Sequence, residues 1–172
     1  MHVSGIIGRG ESSLERWNMK MTAPMEIGIC VADLPRAMAF YEGVLALQKI
    51  SEIALNEQGS RISGLGTSGY TVVRLQTHYG ERIKLVCPNG TPARPIPAET
   101  PSSRTGLAYV TFLVDDITAT VADCERAGFK SVKGIIELRP GVRMALVPDP
   151  EGNFIEFAQY DNIATYRSDL KR

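Results

Sequence analysis

The chain of 172 residues is long enough to bury a substantial core, either in one domain or in two small similar halves. Its 19 basic and 19 acidic residues cancel, so net charge gives it no attraction to nucleic acid or to an anionic membrane. Cys30, Cys87 and Cys124 are odd in number and far apart, which argues against a disulfide framework or a thiolate zinc site. No apolar run approaches the ~20 residues of a membrane span. These features predict a cytoplasmic protein.

Residues 1–23 are predicted to form an N-terminal arm. Leu14 and Trp17 are three positions apart, so a helical turn would place both against the main body.

The first half of the chain is predicted to span residues 24–87. Its first strand covers 25–31, where apolar side chains alternate with Glu26, Gly28 and Cys30. Asp33 then caps a helix from Leu34 to about Val44. Three more strands are predicted at residues 48–55, 70–76 and 82–86, with a Gly- and Ser-rich loop over 56–69.

A linker over 88–105 follows, because its five prolines exclude regular structure. The second half covers 106–160 and ends in a polar tail, 161–172. Its pattern predicts a strand at 107–114, a helix capped by Asp116 and ended by Gly128, and strands at about 129–138, 143–147 and 153–159.

The last two strands are predicted to be joined by a tight turn at Asp149-Pro150-Glu151-Gly152. Asp at the first position, Pro at the second and Gly at the fourth are typical of a type I turn. Alternation after the turn puts Glu156 on one face with Phe154 and Ala158. This acid either meets solvent on an open face or lines a cavity.

The two halves repeat one pattern, βαβββ. Val31-Ala32-Asp33-Leu34 aligns with Val114-Asp115-Asp116-Ile117, and Gly80 to Leu85 aligns with Gly152 to Phe157. Carried through, this alignment pairs Glu26 with Tyr109 and Lys84 with Glu156.

The segment from Glu26 to Leu34, with Ala39-Phe40-Tyr41 and Val44-Leu45 after it, resembles the first module of the vicinal-oxygen-chelate superfamily. This superfamily contains glyoxalase I, the bleomycin-resistance proteins and the extradiol dioxygenases, and Asp149 to Glu156 resembles the end of its second module. The resemblance implies an α+β fold in which two βαβββ modules form an eight-stranded half-open cup with the helices outside. It also implies a small-molecule ligand inside the cup and a homodimer. Glu26, Lys84, Tyr109 and Glu156 would point into the cup.

In metal-dependent members these four positions hold His, Glu or Gln around one divalent ion, which acts as a Lewis acid. Here only Glu26 and Glu156 are ordinary ligands, so the resemblance leaves open either no cofactor or one divalent metal ion. We hypothesise that the ammonium of Lys84 stands where the metal would be and bridges both carboxylates, with a hydrogen bond from Tyr109. The cluster then either only fixes module packing, or binds a polar ligand with Glu156 or Glu26 as base and Lys84 as electrostatic stabiliser.

Other side chains are candidates for ligand contact. Arg74 and Arg82 lie in strands near the cup, where they either meet an anionic ligand or pair with Glu81 or Glu52. Cys30 shares the inward face with Glu26, and Thr111 shares the inward face with Tyr109. His78, in a hairpin turn, is expected to be solvated, and the segments 139–141 and 61–69 are expected to be mobile lips of the cup.

Two classes of function remain. The leading hypothesis is a glyoxalase-like enzyme of lyase or isomerase type that acts on a small polar oxygenated substrate. The alternative is a metal-free binding protein of the bleomycin-resistance kind, which sequesters its ligand without turnover. A dioxygenase is the least favoured, because its iron requires two histidines and one carboxylate and neither His2 nor His78 falls at a matched position.

Overall fold

The computed structural model describes residues 21–93, 100–103 and 105–169. Most of the predicted arm, with Leu14 and Trp17, lies outside the described residues, as does part of the predicted linker. Eight strands are described: β1 Glu26–Cys30, β2 Gln48–Leu55, β3 Tyr70–Gln76, β4 Arg82–Pro88, β5 Tyr109–Leu113, β6 Ile136–Arg139, β7 Val142–Pro148 and β8 Phe154–Tyr160. The α-helices are α1 Leu34–Met38, α2 Glu57–Ser63 and α3 Ile117–Arg126. No helix within these ranges is long and apolar enough to cross a membrane.

The strands form two four-stranded mixed sheets with the same topology. The first sheet has the order β1-β4-β3-β2 and the second has the order β5-β8-β7-β6. Strand β1 runs parallel to its neighbour β4, and β5 runs parallel to its neighbour β8. The other pairs are antiparallel. The α+β class and the two βαβββ modules predicted from the repeat are therefore confirmed, as is the open rather than closed arrangement of the eight strands.

One hydrophobic core joins the two modules. Alternate side chains on one face of each sheet are buried beneath the helices, because residues two apart in a strand share a face. Phe40 of the first module meets Phe129 of the second with ring centroids 4.7 Å apart. The fully buried side chains include Val31, Tyr41, Leu75, Leu85, Ile117, Cys124, Val147, Ile155 and Phe157.

Helix α1 continues as a π-helical turn over Ala39–Val44, so the helical segment has the predicted length but not a uniform period. Leu45 donates its backbone N–H to the carbonyl of Phe40 at 3.0 Å, the five-residue spacing of a π-helix. The wider turn buries Phe40 and Tyr41 side by side.

Two predicted boundaries are wrong. The expected loop over 56–69 contains helix α2, whose N-terminus is capped by the Asn56 side chain accepting from the Gly59 N–H at 2.9 Å. Gly64 ends this helix with a φ of 72°, a conformation in which glycine is favoured because it has no Cβ. The strand expected at 129–138 begins only at Ile136. Gly134, with a φ of 71°, precedes it and interrupts the extended chain.

The predicted turn at Asp149–Gly152 is present. The N–H of Gly152 donates to the carbonyl of Asp149 at 3.0 Å, which closes the turn. Its acidic side chains reach across to the first module: Glu151 Oε1 accepts from the backbone N–H groups of Ala32 and Asp33 at 2.7 and 3.1 Å. The turn therefore holds the two modules together as well as joining β7 to β8.

Candidate active site

Charged side chains form two rows across the face of the first sheet that is turned away from the helices. The register places Lys84 between Gly28 and Arg74, and it places Arg82 between Glu26 and Gln76. Side chains paired across neighbouring strands share a face of the sheet. The residues of β4 that alternate with them, Ile83 and Leu85, point the other way into the core.

Glu26 is the acid that two of the cations on this face contact. Nζ of Lys84 lies 3.2 Å from Oε2 of Glu26, and Nη1 of Arg82 lies 3.2 Å from Oε1. Arg82 also donates from Nε to Gln76 Oε1 at 2.7 Å. The hydrogen bond from Lys84, with a smaller contribution from Arg82, holds the pKa of Glu26 below its ordinary 4.5, and partial burial opposes this. Glu26 is thus an ionised carboxylate with a cation on each oxygen.

Replacing Glu26 with Gln is expected to remove part of the acid sensitivity of the fold. Because the folded pKa is lowered from 4.5, the ionised carboxylate stabilises the protein above that pH, and this stabilisation is lost as the pH falls through the folded value. Urea unfolding between about pH 6 and pH 3 should show a steeper loss of stability in the wild type than in Glu26→Gln. Glu42→Gln, at an exposed site, is the control. Equal slopes in all three proteins would show that the cluster does not contribute.

Glu156 has a different environment from Glu26. It lies opposite Thr111 in the register of β5 and β8, and the Thr111 hydroxyl donates to Oε2 of Glu156 at 2.5 Å. Among the described residues no lysine or arginine lies within 4.0 Å of this carboxylate. The hypothesis that Lys84 bridges both acids is therefore wrong, because Lys84 pairs only with Glu26. Tyr109, which is 46% exposed, is two residues along β5 from Thr111, and Thr111 makes the hydrogen bond we had expected from Tyr109.

The remaining predicted ligand contacts have these surroundings. Arg74 donates from Nη1 to the Ser51 hydroxyl at 3.1 Å, and it has no carboxylate within 4.0 Å among the described residues. It does not pair with Glu52, which forms a salt bridge with Lys49 instead.

Cys30 is exposed, and desolvation together with Cys87 and Glu151 raises the pKa of its thiol, so the thiol is protonated at pH 7. His78 lies beside Tyr79 in its turn, with ring centroids 4.0 Å apart.

Two cavities open at matching ends of the two sheets. One, of about 280 Å³, adjoins Cys30 and Val86 and is closed by the segments 65–68 and 90–92. The other, of about 310 Å³, lies between the turn 139–141 and the start of the tail. Both segments that we predicted as lips therefore border a cavity. Glu26, Lys84, Tyr109 and Glu156 line neither one.

The donor set at the four matched positions does not fit a divalent metal. A cation already contacts each oxygen of Glu26, and a lysine and a tyrosine occupy two of the positions. No group of three or more His, Cys, Asp or Glu side chains that could hold an ion occurs within the described ranges. The arrangement is suited to binding an anion at Lys84 and Arg74 and to accepting a proton at Glu156.

The sequence of residues 24–157 matches the profile of the Glyoxalase/Bleomycin resistance protein/Dioxygenase superfamily. This match covers most of the chain, and the chain belongs to that superfamily. A search of curated proteins gave no significant match.

Solved structures agree with this assignment. A glyoxalase family protein from Bacillus cereus superposes with a TM-score of 0.70 at 22% identity, over 85% of this chain and 99% of that one. A glyoxalase/bleomycin resistance protein/dioxygenase domain from Frankia has a TM-score of 0.63 at 16% identity, over 82% and 93%. The trypanothione-dependent glyoxalase I of Leishmania major has a TM-score of 0.57 at 22% identity, over 84% and 90%. At these identities the likeness establishes the fold, and the residues of this chain must decide the reaction.

Sequence reasoning missed the neutral partners of the charged side chains. Ser51 and Gln76 orient Arg74 and Arg82, and Gly28 leaves open space beside Lys84. The alternation of β3 does contain the signal for Gln76, because that residue is in phase with Arg74. Ser51 could not be found in this way, because a register shift between Lys49 and Ser51 changes the phase of β2.

Proposed function

We propose that this protein is a metal-independent, glyoxalase-like enzyme of lyase or isomerase type that acts on a small oxygenated substrate. The observation that supports this most directly is the pair of 3.2 Å contacts that Lys84 and Arg82 make with Glu26. By the resemblance, Lys84 takes one of the four positions that supply ligands in metal-dependent members, and Glu156 has no cationic partner among the described residues. The two acids therefore have different roles.

In the proposed reaction Glu156 accepts a proton from a hydroxyl-bearing substrate carbon next to a carbonyl group. The electron pair moves to the carbonyl oxygen and forms an enediolate, whose negative charge the Lys84 ammonium stabilises. The hydroxyl proton passes to the former carbonyl oxygen and Glu156 returns its proton to the former carbonyl carbon, so the carbonyl and hydroxyl groups exchange places and the isomerisation is complete. Thr111 orients the carboxylate by its hydrogen bond. A positioned base of this kind contributes roughly 10²- to 10⁴-fold to the rate.

The first test is metal content. Elemental analysis of the purified protein, with calorimetric titration of Mn²⁺, Ni²⁺ and Zn²⁺, is expected to show no stoichiometric metal in the wild type. Lys84→Met leaves Glu26 with Arg82 as its cationic partner and is likewise expected to bind no stoichiometric divalent ion. Stoichiometric metal in the wild type that disappears in Glu26→Gln would overturn the proposal.

Sequestration without turnover is the second candidate, and one observation favours it: both oxygens of Glu26 are already engaged by cations, so only one acid is available for chemistry. Deuterium exchange separates the two candidates. The protons of pyruvate and of hydroxyacetone next to their carbonyl groups are followed by NMR in D₂O with and without protein. Protein-dependent exchange supports the enzyme, whereas binding without exchange of either compound supports sequestration.

We further propose a cytoplasmic homodimer. The cytoplasmic location is supported by three cysteines that are free thiols, which is the usual state in a reducing compartment. The dimer is proposed from the superfamily, whose members often form one. Size-exclusion chromatography with light scattering measures it directly.

A further inference from the structure

We propose that the ligand of the cup is a monocarboxylate with a short apolar arm, bound with its carboxylate at Lys84 and Arg74 and its arm in the Cys30 cavity. This inference rests on the proposed function, because it names the substrate class of the same site. Two observations support it: Lys84 and Arg74 are like charges on the neighbouring strands β4 and β3, and the cavity of about 280 Å³ beside Cys30 lies close to them.

The charges leave room for one negative group. Lys84 and Arg74 are direct partners across β3 and β4, and like charges directly opposite each other destabilise a sheet. Glu26 compensates Lys84 and Arg82 but not Arg74, whose partner is the neutral Ser51. Arg74 therefore has no carboxylate partner among the described residues. A single carboxylate between Arg74 and Lys84 would supply that partner with charge-assisted hydrogen bonds.

The next row along the sheet is apolar. Val86 is paired with Cys30 on one side and with Val72 on the other, and Ile53 extends this row on β2. Two residues along a strand span about 7 Å, so a short alkyl or aryl arm reaches from the cations to this row. The cavity of about 280 Å³ starts there, with Tyr70 and Pro88 in its wall. An anionic head next to an apolar pocket defines an amphiphilic ligand.

The cavity is already formed in the structure. The backbone N–H of Asn89 donates to the carbonyl of Gly69 at 2.7 Å and ties together the two segments that close it. Gly69 permits the approach of Asn89, because a Cβ there would lie 2.5 Å from Nδ2 of Asn89 and 2.5 Å from the carbonyl oxygen of Leu55. A pre-formed pocket binds its ligand with little cost in ordering the protein.

Calorimetric titration with hexanoate, acetate and hexan-1-ol tests the proposal. Hexanoate is expected to bind at least about ten-fold more tightly than either acetate, which lacks the arm, or hexan-1-ol, which lacks the charge. Arg74→Gln should weaken hexanoate binding about ten-fold and leave hexan-1-ol unchanged. Arg36→Gln, at an exposed position on α1, is the matched control and should bind hexanoate like the wild type.

Gly28→Leu provides a second variant. A Cβ at Gly28 would have no atom within 4 Å. The variant should therefore fold normally while its leucine fills the space beside Lys84, and it should abolish hexanoate binding. Hexan-1-ol binding as tightly as hexanoate, or unchanged hexanoate affinity in Arg74→Gln, would overturn the proposal. Pyruvate exchange without hexanoate binding would refute only this inference. Hexanoate binding without exchange of pyruvate or hydroxyacetone would support it and refute the proposed turnover.

Discussion

Asp149→Ala is expected to lower the free energy of unfolding by about 3 to 5 kcal/mol. Asp149 is 5% exposed, and its two carboxylate oxygens accept four hydrogen bonds. Oδ1 accepts from the backbone N–H groups of Glu151 and Asn153 at 2.9 and 2.8 Å. Oδ2 accepts from the Tyr41 hydroxyl at 2.7 Å and from the Asn153 side-chain amide at 3.0 Å.

The alanine would remove the carboxylate that accepts all four hydrogen bonds, and it would leave the buried Tyr41 hydroxyl without an acceptor. Burial, followed by the charge and hydrogen bond of Asp149, raises the pKa of the Tyr41 phenol, so this group stays a donor at any working pH. Tyr41→Phe should cost only about 1 to 2 kcal/mol, because Asp149 keeps three donors. Chemical denaturation measures both changes, and Asp115→Ala, at an exposed site, should stay within about 0.5 kcal/mol of the wild type.

Equal stability of Asp149→Ala and Asp115→Ala would show that the turn does not hold the modules together. Since Tyr41 belongs to the first module and Asp149 to the second, their hydrogen bond couples the unfolding of the two modules. Two separate transitions in Asp149→Ala, with one in the wild type, would identify the Asp149 turn as the source of their cooperativity.

The fold was predictable because the signals that specify it are local. Asp33 and Asp116 cap their helices as expected, with side-chain contacts to the N–H groups of Arg36 and Ala119 at 3.0 and 2.9 Å. The strand alternation fixes which face of each sheet is buried, and the repeat fixes the topology of the second module from that of the first. Helix α2 was missed although Asn56 and Gly64 are suitable caps, because its glycine and serines have low intrinsic helix propensity.

The site was only partly predictable because it depends on pairings between distant strands. The family resemblance placed Glu26 and Lys84 on the inward face, but it could not show that Lys84 would pair with Glu26 alone. That outcome depends on the register, in which Arg82 is the direct partner of Glu26 and Thr111 the direct partner of Glu156. The sequence position of Lys84 matches that of Glu156, so the pseudo-symmetry relates a cation in one module to an acid in the other. This asymmetry is the basis for assigning the two acids different roles.

Glu156→Gln is expected to reduce deuterium exchange into the substrate by about 10²- to 10⁴-fold, the range for loss of a positioned general base. The amide keeps the size of the side chain and can still accept from Thr111, but it cannot take a proton. Binding should change little, because the carboxylate of the ligand is held by Lys84 and Arg74 in the proposed complex. Exchange of pyruvate protons followed by NMR gives the rate, and calorimetry gives the affinity of the same variant.

Two further variants distinguish a base from a structural acid. Glu42→Gln, at an exposed position, should exchange like the wild type. Thr111→Val removes the 2.5 Å hydrogen bond to Glu156 and should lower kcat several-fold with little change in KM, because it disturbs the orientation of the base and not the binding of the anion. A Glu156→Gln protein that exchanges at the wild-type rate would exclude this carboxylate as the base. Since a cation contacts each oxygen of Glu26, the cup would then retain the features of a binding site, and sequestration would become the better account of the fold.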